Sequence, residues 1–129
     1  MNFIKNHITP IFQTYLTLLV LLNILPINGK ESVLNNNYIL TVRLDYIGHA
    51  ASIGLLTVLG LLYIKKKRKS LAIYTLVFVL LSFLLLSTGM EALQYVIPWR
   101  AFNVNDLMAN GVGVLLGLLF FSFALSSRG

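Results

Sequence analysis

The sequence predicts an all-α integral membrane protein, a four-helix transmembrane bundle with both termini on the inner side. Three observations carry this expectation. Hydrophobic residues make up 57% of the 129-residue chain against 11% charged, far from the balance of a soluble domain. Apolar stretches of membrane-spanning length recur four times, and the cations fall unevenly between them. Crossing the hydrocarbon layer takes about 20 residues at ~1.5 Å each, so the spans consume the chain and residues 1–129 are expected to form a single transmembrane domain.

The first span is expected over about residues 8–27, with Pro10 near its start, where a missing amide is harmless, and Pro26 near its end. Lys5 before an apolar segment resembles a signal peptide. The exit Pro26-Ile27-Asn28-Gly29-Lys30 offers no small-x-small cleavage site, so a retained helix is expected. Residues 28–42 are rich in Asn and read as an external or interfacial loop. The second span is placed at about 44–64, the third at 71–96 and the fourth at 104–124, with Pro98 interrupting the apolar pattern between the last two.

Between spans two and three stands the run Lys65, Lys66, Lys67, Arg68 and Lys69, which fits a topology anchor at anionic headgroups. With the N-terminus inside, the inner segments hold Lys5, this run and Arg128, seven of the ten cations, and the outer segments hold Lys30, Arg43 and Arg100. That bias predicts a multi-pass protein of the cell membrane with both termini cytoplasmic. The net charge of +6 is thus assigned to lipid and not to nucleic acid. The absence of Cys excludes disulfides, thiolate metal sites and cysteine nucleophiles. Tyr95 and Trp99 beside Pro98 fit an interfacial aromatic belt, and Asn23 is expected to hydrogen-bond a neighbouring helix.

Charged groups inside a membrane cost several kcal/mol on insertion scales, so those that persist should face a partner, a cavity or the interface. Under the predicted topology Asp45 begins span two, Glu91 lies near the outer end of span three and Asp106 begins span four. Arg43, Arg100, His49, Gln94 and Asn110 fall at the same level. At about 100° per residue, Asp45, His49 and Ser52 share one face, Ser87, Glu91 and Gln94 another, and Asp106, Asn110, Gly113 and Gly117 a third. Gly113 and Gly117, preceded by Ala109, form a small-xxx-small series that admits a close helix neighbour. The expected polar cluster is therefore Arg43, Asp45, His49, Glu91, Gln94, Arg100, Asp106 and Asn110. Simpler roles compete: Asp106 after Asn103 and Asn105 suits helix capping, and the arginines suit snorkelling to headgroups.

The string Glu91-x-x-Gln94-x-x-x-Pro98-x-Arg100, then Asp106-x-x-x-Asn110-x-x-Gly113-x-x-x-Gly117, resembles the signature of the VanZ-like family, as does the upstream Arg43-x-Asp45-x-x-x-His49. The matching stretches cover about half the chain. Tyr46 stands where the family commonly has Lys, Ala50 and Ala51 where it has aromatics, and Asn103 where a Ser or an acid is frequent. The resemblance implies a small bacterial multi-helix membrane protein with a cell-envelope role, in a family named for an accessory factor in teicoplanin resistance.

Three functions fit this pattern. An outward pocket would bind a polar lipid headgroup, an envelope precursor or a peptide, with Arg43 and Arg100 as anion donors. A membrane-embedded enzyme would use His49 as general base and Glu91 or Asp106 as general acid or metal ligand. A structural network of ion pairs would fasten spans two, three and four. One imidazole with carboxylates is a poor zinc set without further His or Cys, so no metal and no cofactor is predicted.

Overall fold

The computed structural model describes residues 2–25, 37–39, 42–68, 72–97 and 102–126, with side chains from residue 6 onward. Four helices account for nearly all of them: α1 (Asn2–Ile24), α2 (Leu44–Lys67), α3 (Ile73–Val96) and α4 (Val104–Ser126). All four are long and apolar enough to cross a membrane. A short antiparallel pair, Tyr38–Ile39 against Val42–Arg43, precedes α2, with Tyr38 opposite Arg43 and Leu44 N donating to Asn37 O at 2.9 Å. The sequence shows only a polar loop there, because a two-residue ladder leaves no periodic signal.

The first helix starts at Asn2, six residues before the expected boundary, so Pro10 lies inside it. Helical hydrogen bonding does not stop where hydropathy does, and a polar turn at an interface continues the helix. Proline lacks the N–H that would bond the carbonyl four residues back, which here is Asn6. Lys66 Nζ supplies a donor to that oxygen at 3.3 Å. The sequence break is thus repaired from α2, and the repair ties the N-terminal end of α1 to the C-terminal end of α2. Pro26, Lys30, Lys69, Pro98, Trp99, Arg100 and Arg128 lie outside the described residues.

Lys65, Lys66 and Lys67 extend α2 past the expected Ile64 and occupy its last turn, where cations complement the carbonyl end of the helix dipole. Between α2 and α4 the seam is backbone against backbone. A Cβ on Gly117 would lie 2.6 Å from Gly54 O and 2.8 Å from Thr57 Cβ, and one on Gly113 would collide with the Ala50 carbonyl. The small-xxx-small series is therefore the contact surface of α4, as the sequence suggests.

Two apolar clusters fill the bundle. Leu19, Ile53, Leu56, Met90 and Val114 meet at its middle, drawing on all four helices, and Leu61, Val79 and Phe121 meet nearer the basic end. Tyr15 OH donates to Ser52 O at 3.0 Å and joins α1 to α2. Elsewhere the outward faces are apolar, with Leu85, Leu119 and Phe123 largely exposed, as expected of surfaces that face lipid.

Candidate functional site

At the end of the bundle opposite the basic run, three helices deliver polar side chains to one place. His49 lies five residues into α2, Glu91 five residues before the end of α3, and Asp106 and Asn110 in the first two turns of α4. At ~1.5 Å per residue these groups sit within about 10 Å of the helix ends. The inward faces read from helical periodicity bring them together.

The contacts are graded. His49 Nδ1 lies 3.2 Å from Asn110 Oδ1 and 3.8 Å from Glu91 Oε1, and His49 Nε2 lies 3.9 Å from Asp106 Oδ2. Asn110 Nδ2 donates to Glu91 Oε1 at 3.5 Å, which turns its carbonyl oxygen toward the imidazole. The two ring nitrogens thus face different partners, Nδ1 toward Asn110 and Glu91 and Nε2 toward Asp106. The imidazole is 24% exposed while Glu91 is 1% exposed, so the ring forms the accessible face and Glu91 the floor. Among the described residues, His49, Glu91 and Asp106 each offer a ligand atom within 4.8 Å of the others.

Asp106 serves two roles at once. Asn103 Oδ1 accepts from Asn105 N at 3.0 Å, Asn103 O accepts from Asp106 N at 3.1 Å, and Asn103 Nδ2 donates to Asp106 Oδ1 at 3.0 Å. This is an N-cap whose third helical residue is bonded back to it. The second carboxylate oxygen, Oδ2, is the one that faces His49.

The remaining predicted residues fall into two side groups. Arg43 donates to Asp45 Oδ2 at 2.6 Å and to Tyr46 OH at 2.9 Å, and its Cζ lies 4.7 Å from the Tyr46 ring centroid. Burial works against the guanidinium charge, but the Asp45 carboxylate, followed by Tyr46, outweighs it and holds the Arg43 pKa above its ordinary value. Both terminal nitrogens thus have partners inside this group. Tyr46 OH also accepts from Asn105 Nδ2 at 3.2 Å, so the residue found where the resemblance leads one to expect lysine bridges α2 to the start of α4. Its spacing of three from Arg43 is the only sequence signal for this role.

Gln94 turns away from the carboxylates. Its Nε2 donates to Asn23 Oδ1 at 2.8 Å, and Asn23 Nδ2 donates to Leu19 O at 3.1 Å and contacts Met90 Sδ at 3.6 Å. Asn23 is thereby the link between α1 and α3 that its position in an apolar helix suggests. Ser52 contributes its carbonyl to Tyr15, and Ser87 bonds back to Leu84 O at 3.0 Å, so neither hydroxyl joins the cluster. Arg100, expected at the same level, lies outside the described residues.

A family model described as VanZ/LLP1 matches residues 3–125. No curated protein and no solved structure matches the chain.

Proposed function

We propose, for a chain that belongs to the VanZ/LLP1 family, that His49, Glu91, Asp106 and Asn110 receive a polar headgroup rich in hydroxyl or ammonium donors, carried by a membrane lipid or an envelope precursor. The observation that supports this reading is the looseness of the cluster. His49 lies 3.8 Å from Glu91 and 3.9 Å from Asp106, with its ring 24% exposed. Charge-assisted bonds in a closed network would shorten to about 2.7–2.9 Å. Groups held farther apart accommodate a donor between them, and two carboxylates with an imidazole select donors over anions. Arg43, engaged by Asp45 and Tyr46, takes the anion-binding role expected of it to the rim of the site.

In this reading both termini lie on the cytoplasmic side of the cell membrane, following the cation bias, and the site opens toward the outer leaflet. The protein then works at the cell envelope, and altered susceptibility to teicoplanin is the corresponding phenotype.

The test uses the full chain with His49→Gln and Asp106→Asn. Both variants should insert and fold, His49→Gln melting within about 1 kcal/mol of the parent and Asp106→Asn losing at most the ~0.5–2 kcal/mol of a weakened N-cap, yet fail to complement a deletion strain under cell-wall stress. If instead both lose about 3–5 kcal/mol of stability, the magnitude of a broken buried ion pair, the cluster is a structural network. Full complementation by both would remove the binding role.

A second reading makes the same cluster catalytic, with His49 as general base and Glu91 or Asp106 as acid or ion ligand. It is favoured by the approach of three ligand atoms to within 4.8 Å. Elemental analysis of the same purified proteins separates it. A stoichiometric divalent metal lost in Asp106→Asn belongs to the metal-dependent form of this reading alone.

A further inference from the structure

We propose that the cleft between the C-terminal end of α2 and the first turns of α3 binds one anionic phospholipid. This cleft lies some 27 Å from the His49 cluster, from the 18 residues of helix that separate His49 from Lys67 at ~1.5 Å each. It is independent of the function proposed above.

Its volume is about 540 Å³, and Lys67, Arg68, Tyr63, Tyr74, Thr75 and Phe78 are among its lining residues. That volume falls within the roughly 300–1,000 Å³ typical of small-molecule sites.

The cleft combines three features that a general topology anchor does not need. First, one of its cations is held in place: Lys67 Nζ lies 4.7 Å from the Tyr63 ring centroid, and Tyr63 stacks on Phe12 of α1 at 5.3 Å. A cation over an aromatic face is fixed at the rim. Arg68 follows at the C-cap of α2, its backbone extended and its N–H bonded to Ile64 O at 2.9 Å. A guanidinium fork there fits a phosphodiester.

Second, the wall below these cations is apolar and open to the surroundings of the bundle, with Tyr74 67% and Phe78 68% exposed. An acyl chain covers such a wall, and a free anion does not.

Third, Thr75 is 5% exposed, and its hydroxyl has no hydrogen-bond partner among the described residues. Thr57 and Thr88, inside helices, donate to the carbonyl four residues back, at 2.9 and 2.8 Å. Thr75 is in the first turn of α3, three residues after the Ala72 N-cap, and makes no such bond. A buried hydroxyl left without a partner costs about 1–3 kcal/mol. Rotation about χ1 would present the hydroxyl to the cleft that Thr75 lines, where a phosphate or ester oxygen of the lipid satisfies it.

Charge complementarity selects the occupant. Lys66 is drawn off to Asn6 O, and Lys65 is exposed outside the cleft, so among the described residues of the run Lys67 and Arg68 face the cleft and the other two do not.

The full chain, purified in detergent with dioleoylphosphatidylglycerol or dioleoylphosphatidylcholine, should retain one molecule of the former in native mass spectrometry and little of the latter. The double variant Lys67→Gln/Arg68→Gln should weaken retention at least about tenfold, and Thr75→Val several-fold, as loss of a single hydrogen bond does. Lys65→Gln, which removes the same unit of charge outside the cleft, should leave it unchanged. The proposal is overturned if Lys65→Gln weakens retention as much as the double variant, if the double variant binds like the parent, or if the zwitterionic lipid is held equally. Displacement by inorganic phosphate at about 10 mM, far above the affinity range of a specific lipid site, would assign the cleft to a free anion and overturn it too.

Discussion

Asn110 shows how one neutral side chain can orient two ionisable ones. Its amide nitrogen faces Glu91 and its oxygen faces His49, so its two ends select complementary atoms. Asn23 and Gln94 pair in the same way, at 2.8 Å, between α1 and α3. Hydrogen bonds between membrane helices measured by double-mutant cycles average about 0.6 kcal/mol and reach about 1.7. Unfolding free energies of Asn23→Leu, Gln94→Leu and the double variant should therefore give a coupling of about 0.6 kcal/mol, and strict additivity would show that the contact contributes nothing. Helical periodicity alone places His49, Glu91, Asp106 and Asn110 on inward faces, because the turn of a helix is a local property. It does not reveal that Gln94 answers Asn23. That pairing depends on how α1 is rotated and set in depth against α3, a relation between two segments that the periodicity within either one does not give.

At the scale of elements, the α2–α4 seam rests on absent side chains. A methyl on Gly117 meets backbone oxygen of Gly54 and the Thr57 side chain at 2.6–2.8 Å, and backbone cannot step aside. Gly117→Ala should destabilise the bundle by about 1–3 kcal/mol, the range for overpacking, and weaken the site by parting the helices that carry His49 and Asp106. Gly89→Ala is the matched control, since nothing lies within 4 Å of its added carbon. It should be neutral or stabilise by up to about 1 kcal/mol through helix propensity. Thermal unfolding in one detergent checks both, and equal losses would refute the seam argument. The spacing of Gly113 and Gly117 makes the seam legible in advance, whereas the partner backbone is not. Pro10 teaches the converse: a residue expected at a helix start sits within α1 because Lys66, 56 positions away in the chain, donates to the carbonyl that proline leaves open.

For the whole molecule, contacts between helix ends set a common parity. Asn6 meets Lys66 at one end, while Asn23 meets Gln94 and His49 meets Glu91 at the other. The start of α1, the end of α2 and the end of α4 thus share one side. The chain has no Cys, so single cysteines at Ser126, Lys65, Tyr38 and Phe102 can report sidedness without background. An impermeant maleimide on intact cells should label Tyr38→Cys and Phe102→Cys but not Ser126→Cys or Lys65→Cys. The opposite pattern would invert the orientation inferred from cation bias, and labelling of both Ser126→Cys and Tyr38→Cys would break the four-crossing arrangement. The four long apolar helices, their approximate limits and the placement of His49, Glu91, Asp106 and Asn110 near one end of the bundle were legible from composition and order, because hydropathy and helical rise act along the chain. Which polar groups touch was decided only by the packing of four helices. The split of the expected cluster into a His49 centre, an Arg43–Asp45–Tyr46 rim and an Asn23–Gln94 clasp depends on helix rotations set by glycine contacts and apolar fit, and those are relations between segments that no local pattern encodes.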